Sequence, residues 1–110
     1  MNKYGAVKTK IDGYTFDSKK EAKRYRELCL LERAGEISDI LVHPKYVLQE
    51  AFIDIDNNKI RGITYEADFA YIENKSIVVE DVKGMITAMA KLKIKIFKRL
   101  YPTYKFRIVK

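Results

Sequence analysis

The feature that most limits the fold of this chain is the placement of two helical patterns on either side of a long stretch of strand-like alternation. Ser18 to Glu21 has the form of a capping box, so the pattern predicts a helix that runs to about Ala34 and ends at Gly35. Apolar residues return at helical spacing from Met85 to Leu100, and Tyr101-Pro102 closes that segment. An α/β domain is therefore expected.

The strand patterns complete the predicted order of elements. Residues 6–16 alternate around Asp12-Gly13, which predicts a short β-hairpin before the first helix. Residues 36–43 fit neither a helical nor a strand pattern clearly. Alternation predicts four further strands, at Lys45–Ile53, Ile63–Ile72, Ser76–Lys83 and Tyr104–Val109. The resulting order is ββ-α-β-β-β-α-β, a single domain of mixed α/β type.

Composition excludes several classes of protein. Of the 110 residues, 47% are hydrophobic and 34% are charged, which excludes a disordered tail and a membrane protein. No apolar run approaches the ~20 residues of a membrane span, and the first ten residues contain no secretory signal. A cytoplasmic protein is expected. Cys29 is the single cysteine, which excludes an internal disulfide, and with one histidine it excludes a Cys/His zinc site.

Charge is distributed unevenly along the chain, whose net charge is +7. Residues 1–26 carry 8 basic and 3 acidic side chains, and residues 85–110 carry 8 basic and no acidic ones. The stretch between them is acidic. Basic ends around an acidic middle indicate a polyanionic partner such as nucleic acid, which binds through its phosphates. A surface that only keeps the protein soluble is the alternative.

Two strands bring acidic residues together. If Asn74-Lys75 forms a two-residue hairpin loop, Asp68 lies opposite Asp81, and Glu66 lies opposite Lys83. Facing carboxylates repel, so a cation, a shared proton or an outward, solvated face must compensate. Mg²⁺ is the simplest choice, and the backbone carbonyl of Val82 can supply a further oxygen. A loop of different length would place Asp68 opposite Glu80 or Val82 instead.

These residues carry a resemblance to a known family. Asp68 followed by Asp81-Val82-Lys83 resembles the motif of the PD-(D/E)xK nuclease superfamily, and Glu21 resembles the helical glutamate of many members. The order helix, three strands, helix, strand is similar to that family's αβββαβ core. Ala67 stands where the motif has proline. The whole chain also resembles small phage and prophage Holliday junction resolvase-like endonucleases, in Phe16 to Ala22, Pro44-Lys45-Tyr46, Tyr65-x-x-Asp68-Phe69 and Val79 to Gly84.

The resemblance implies a fold and an activity. It implies one nuclease domain over residues 1–110, in which an N-terminal arm and hairpin (1–17) precede a restriction-endonuclease-like αβββαβ core (18–110) with a mixed central sheet flanked by helices. It implies a metal-dependent DNA endonuclease of a phage or prophage in a bacterial host. The catalytic residues would be Glu21, Asp68, Asp81 and Lys83. Branched or junction DNA would be the substrate, and two symmetric cuts require a homodimer.

The same resemblance implies how the site would work. Asp68 and Asp81 would bind Mg²⁺ or Mn²⁺. Glu21 would bind the ion directly or contact one of its ligands. The ion would activate a water, which Lys83 would position while offsetting charge on the phosphate. The spacing of Glu21 places it on the inward face of the first helix, although capping that helix would explain it equally. His43 is most simply structural, and Glu80 points away from Asp81.

Basic residues on the two helices are the expected DNA contacts. Helical spacing aligns Lys91, Lys95, Lys98 and Arg99 in one stripe, and Thr87 lies one turn before it. A second cluster on the first helix contains Lys19, Lys20, Lys23 and Arg24. Such contacts bind the phosphate backbone and read little sequence. The alternatives are a nicking endonuclease without junction preference and a non-catalytic DNA-binding module, whereas an RNA-binding protein is disfavoured by the absence of a recognisable RNA-binding motif.

Overall fold

A computed structural model describes residues 8–110, so part of the predicted N-terminal arm and the start of the predicted hairpin lie outside the described residues. The described chain forms two helices and ten strands. The helices are α1 (Lys19–Arg33) and α2 (Ala88–Leu100). The strands are β1 (Thr9–Ile11), β2 (Tyr14–Phe16), β3 (Ser38–Val42), β4 (Lys45–Gln49), β5 (Phe52–Ile53), β6 (Lys59–Ile60), β7 (Ile63–Glu66), β8 (Phe69–Glu73), β9 (Ser76–Val82) and β10 (Lys105–Val109).

A four-stranded mixed sheet with the strand order β10-β9-β8-β3 forms the centre of the fold. Strands β3, β8 and β9 pair antiparallel, whereas β10 pairs parallel to β9. Two parallel neighbours need a crossover connection, and α2 supplies it. Three two-stranded ribbons, β1-β2, β4-β7 and β5-β6, surround this sheet. The expected α/β class with a mixed central sheet and two helices is confirmed.

Local sequence explains both ends of α1. The Ser18 hydroxyl accepts a hydrogen bond from the Glu21 N–H at 3.1 Å, as the capping box predicts. At the other end Gly35 has a φ of 78°, a left-handed conformation that glycine adopts without steric cost. The N–H groups of Gly35 and Glu36 then bond the carbonyls of Glu32 and Leu31. This is the Schellman arrangement, and it ends the helix where the sequence predicts.

The second helix begins three residues later than predicted, at Ala88 instead of Met85. Thr87 is its N-cap, and the threonine hydroxyl accepts a hydrogen bond from the Ala90 N–H at 3.1 Å. Apolar spacing alone extended the prediction through residues 85–87, because it does not show where a capping side chain begins the helix. The predicted end at Leu100 is confirmed.

The hairpin that carries the acidic residues has the predicted register. Asn74 and Lys75 form its two-residue loop, and both have positive φ, of 50° and 66°. Positive φ at both loop positions is typical of the turn that matches the twist of the flanking strands. Phe69 lies opposite Glu80 and Glu73 opposite Ser76, as a two-residue loop requires.

Two predicted strands are wrong in extent. The predicted strand Ile63–Ile72 breaks at residues 67–68, because β7 pairs with β4 whereas β8 enters the central sheet. Glu66 therefore lies opposite Lys45 and not opposite Lys83. The predicted strand Lys45–Ile53 also breaks, into β4 and β5, and neither joins the central sheet. Its place is taken by β3, from the stretch that fitted neither pattern.

The sheet separates two hydrophobic cores. Neighbouring residues of a strand point to opposite faces, so Val78 packs in one core and Val79 in the other. The first core lies under α1 and includes Leu28, and the second lies under α2 and includes Phe97; both of these side chains are fully buried. Cys29 packs at the edge of the first core. None of the helices in residues 8–110 is long and apolar enough to cross a membrane.

Candidate functional site

The predicted site residues meet where β9 ends and β8 begins. Asp68 immediately precedes β8, and Asp81 and Val82 are the last residues of β9. Glu21 stands in the first turn of α1 and is 6% exposed. Because α1 packs across the sheet with its N-terminal turn at this end, the glutamate reaches the strand ends.

Asp68 and Asp81 are neighbours, and each is bonded to the other's strand. The Asp68 N–H donates to Asp81 Oδ1 at 3.0 Å, and the Val82 N–H donates to Asp68 Oδ2 at 2.7 Å. The Tyr65 hydroxyl donates to Asp81 Oδ2. Three protein donors thus partly offset the repulsion between the carboxylates. The predicted role of Val82 was a carbonyl ligand, whereas the contact present here is made by its N–H.

Burial and neighbouring negative charges make Asp68 a weaker acid than an ordinary aspartate. Its pKa is raised to about 7, mainly by desolvation and to a smaller extent by the carboxylates of Glu21 and Asp81. The Val82 N–H and the Lys83 ammonium act in the opposite direction and lower the pKa of Asp68. Lys83 therefore lies close enough to Asp68 to act on it electrostatically. A cation bound nearby would stabilise the ionised form of Asp68 in this environment.

His43 is the residue of the site that sequence reasoning missed. Its Nε2 lies 2.7 Å from Glu21 Oε1, and its backbone N–H donates to the Asp68 carbonyl at 2.9 Å. It follows β3 with a φ of 54°, which only a few residue types adopt readily. The available signal was weak: it is the chain's one imidazole, and it directly precedes Pro44. Only the pairing of β3 with β8 brings it to Glu21.

Three side chains can share one ion. Ligand atoms of Glu21, His43 and Asp68 all lie within 4.8 Å of one another. An ion with ligands at about 2.1 Å holds them at most about 4.2 Å apart, so small side-chain rotations suffice. The two carboxylates and one imidazole therefore fit a divalent cation. This group does not contain Asp81, whose oxygens accept the bonds described above, so direct ligation by Asp81 stays a prediction.

Glu80 points to the face of the sheet opposite Asp81, as predicted, and there it pairs with Arg24, one of the predicted DNA contacts. Glu80 is fully buried. Arg24 donates to both of its oxygens, through Nε at 2.6 Å and Nη2 at 2.9 Å, and the Tyr71 hydroxyl donates at 2.5 Å. The Arg24 guanidinium therefore balances a buried carboxylate, and its contact with DNA stays a prediction.

The remaining predicted DNA contacts face solvent. Lys20 and Lys23 line a small groove together with Arg24, Glu27 and Val82. On the other helix Lys91, Lys95 and Lys98 line an open groove of about 430 Å³ whose floor includes Phe106. Thr87 uses its hydroxyl to cap α2. The exposed members of the predicted set are Lys19, Lys20, Lys23, Thr87, Lys91, Lys95, Lys98 and Arg99, whereas Arg24 is half-buried.

Comparison with known proteins places the chain in a family. A family model described as "Protein of unknown function (DUF1064)" matches residues 1–110. The chain belongs to the DUF1064 family. No curated protein matches it, and no solved structure matches it. The family description states no activity, so a function for this DUF1064 chain has to be argued from the site itself.

Proposed function

We propose that this protein is a metal-dependent DNA endonuclease of the PD-(D/E)xK type. The observation that carries the proposal is the convergence of Glu21 and Asp68 with an Asp-x-Lys strand end. Three separate elements supply these residues, and Val82, which stands between Asp81 and Lys83, also lines a small groove with Lys20 and Lys23. A chance pair of acidic residues on neighbouring strands would not explain why a buried glutamate on a helix, Glu21, also lies beside Asp68.

The order of elements supports the same family. Six of them, α1, β3, β8, β9, α2 and β10, follow one another as α, β, β, β, α and β, with all four strands in the central sheet. Strands β4 to β7 lie between the first and second strands of this series. A restriction-endonuclease-like core with an inserted pair of ribbons is therefore our proposal for the fold.

Glu21 and Asp68 would hold a divalent ion, Mg²⁺ or Mn²⁺. The ion, when bound, supplies a polarised phosphate and a more acidic water. Asp81 orients the strand end, because it accepts the N–H of Asp68 and the hydroxyl of Tyr65. Lys83 follows Val82 and acts electrostatically on the Asp68 carboxylate, so its ammonium can offset the charge that develops on a cleaved phosphate. No side chain needs to act as a nucleophile.

Exposed lysines on both helices would hold the DNA. They bind phosphates without reading bases, so the shape of the DNA would decide the choice of substrate. We propose branched or junction DNA, cut by a homodimer, because the sequence resembles phage and prophage resolvase-like endonucleases. A cytoplasmic protein of a bacterial host accords with that proposal.

A cleavage assay tests the proposed activity. The protein is incubated with a labelled four-way junction or a matched linear duplex, in Mg²⁺, Mn²⁺ or EDTA. We expect paired, ion-dependent cuts in the junction, reduced at least about 100-fold by Asp68→Asn. The control variant Glu66→Gln changes an exposed acid two residues away and should cut normally. Equal cutting of both DNAs would indicate a nuclease without junction preference.

A non-catalytic DNA-binding module is the second candidate. The observation that favours it is the satisfaction of both Asp81 oxygens by protein donors, an arrangement that is stable without an ion. In the same assay this candidate predicts tight binding of DNA with no cleavage in either ion. It also predicts that Asp68→Asn leaves DNA affinity unchanged or improves it, because a negative charge is removed.

A further inference from the structure

The imidazole of His43 has no role in the cleavage proposed above, yet its Nε2 lies 2.7 Å from Glu21 Oε1. We propose that His43 is a direct ligand of the ion, and that this nitrogen ligand makes the centre prefer a transition-metal ion such as Mn²⁺ to Mg²⁺. This inference rests on the proposed function, because it concerns the same ion. It adds the identity of a ligand and the class of metal.

Distance supports direct ligation. His43 Nε2 and Glu21 Oε1 are 2.7 Å apart, and ligand atoms of both residues lie within 4.8 Å of a carboxylate oxygen of Asp68. Two atoms that already form a hydrogen bond are close enough to become adjacent ligands of one ion. The ion would take the place of that hydrogen bond. The imidazole is 31% exposed, so an ion can reach it from solvent.

The backbone holds the imidazole in this position. His43 has a left-handed φ of 54°, and its N–H is bonded to the carbonyl of Asp68 at 2.9 Å. The Phe16 ring lies beside it, with 5.9 Å between ring centroids. The main chain of Asp68 thus holds His43 in place, and both residues would supply ligands to the ion. A conformation that costs free energy and aims a side chain at charged groups is typical of functional sites.

Ligand chemistry then decides the metal. Mg²⁺ prefers oxygen ligands and a regular octahedron of waters and carboxylates, whereas imidazole suits first-row transition metals. A centre with one imidazole and two carboxylates therefore favours Mn²⁺ and later transition metals over Mg²⁺. An all-carboxylate centre would show a smaller preference. The contrast makes His43 testable by metal binding alone, without any measurement of cleavage.

Titration calorimetry and pulsed EPR test the proposal on the metal-free protein of 110 residues. We expect Mn²⁺ to bind more tightly than Mg²⁺, with a nitrogen coupling from the imidazole in the Mn²⁺ spectrum. His43→Asn is the sharpest variant, because asparagine also tolerates positive φ. It should abolish the coupling and weaken Mn²⁺ at least about 10-fold, with a smaller change for Mg²⁺. Glu66→Gln should change neither affinity.

The outcomes separate this proposal from the nuclease proposal. Absence of nitrogen coupling in wild-type protein that has bound Mn²⁺ would overturn His43 as a ligand, even if the DNA is cut. Equal weakening of Mn²⁺ and Mg²⁺ in His43→Asn would show instead that the imidazole only positions Glu21. Bound Mn²⁺ with nitrogen coupling but no cleavage would support the ligand and overturn the nuclease. The wild-type spectrum decides the question if the variant does not fold.

Discussion

Replacement of Arg24 by alanine should destabilise the protein strongly, although the residue lies in a helix whose neighbouring lysines are exposed. Glu80 has no solvent exposure, and both of its oxygens are bonded to Arg24. The bond to Glu80 is also the main cause that raises the pKa of Arg24. Removal of the arginine would leave a buried carboxylate whose remaining hydrogen-bond partner is the hydroxyl of Tyr71.

The expected magnitude follows from that burial. Removal of one partner of a buried ion pair lowers the free energy of unfolding by about 3–5 kcal/mol. The total free energy of unfolding of a domain is about 5–15 kcal/mol. With roughly 4–8 °C per kcal/mol, the unfolding temperature should fall by about 12–40 °C. Lys23→Ala is the matched control, because this exposed neighbour should change stability by less than about 0.5 kcal/mol.

Thermal and urea unfolding would measure the effect. A second substitution, Glu80→Gln, removes the charge but keeps an acceptor for Tyr71, so it should restore part of the stability in an Arg24→Ala background. If Arg24→Ala unfolded at the same temperature as Lys23→Ala while losing affinity for DNA, our assignment of Arg24 to the interior would be refuted. The residue would then belong to the DNA-binding surface.

Three further predictions concern the site and the basic groove. The raised pKa of Asp68 means that the folded state loses stability as pH rises towards 8. Without divalent ions, Asp68→Asn should therefore increase the free energy of unfolding in urea by about 1–2 kcal/mol at pH 8, after allowance for partial solvation, and by less at pH 5; equal gains would contradict this. Tyr65→Phe should cost about 1–3 kcal/mol in the same assay, because buried Asp81 loses a donor; an unchanged midpoint would show that this bond contributes nothing. Lys91→Gln with Lys95→Gln should reduce the slope of log affinity for DNA against log salt by about 2, measured by fluorescence anisotropy; an unchanged slope would exclude this groove as the DNA contact.

Features that depend on neighbours in sequence were predictable. The capping box of α1, its glycine end and the two-residue loop of the β8–β9 hairpin are each set by a few adjacent residues. That loop also determines the register, which brings Asp68 beside Asp81. Local sequence was therefore sufficient to predict the acidic pair and the lysine two residues further on.

Features that depend on which strands pair with one another were not predictable. Whether Lys45–Gln49 or Ser38–Val42 joins the central sheet is decided by long-range pairing, which the local pattern of neither stretch specifies. In the folded chain β3 joins the sheet, and this choice carries His43 to Asp68. A lone histidine gives no periodic signal, so its role could not be read from spacing.

The sequence by itself determined the two helices, the acidic hairpin and the distribution of charge, because each follows from local propensity or composition. Tertiary structure alone decided which other charged residues meet. It turned Arg24 inward to Glu80, separated Glu66 from Lys83, and joined Glu21, His43 and Asp68 from three elements. The physical reason is that a buried charge has to find its partner in space, and that partner can lie anywhere along the chain.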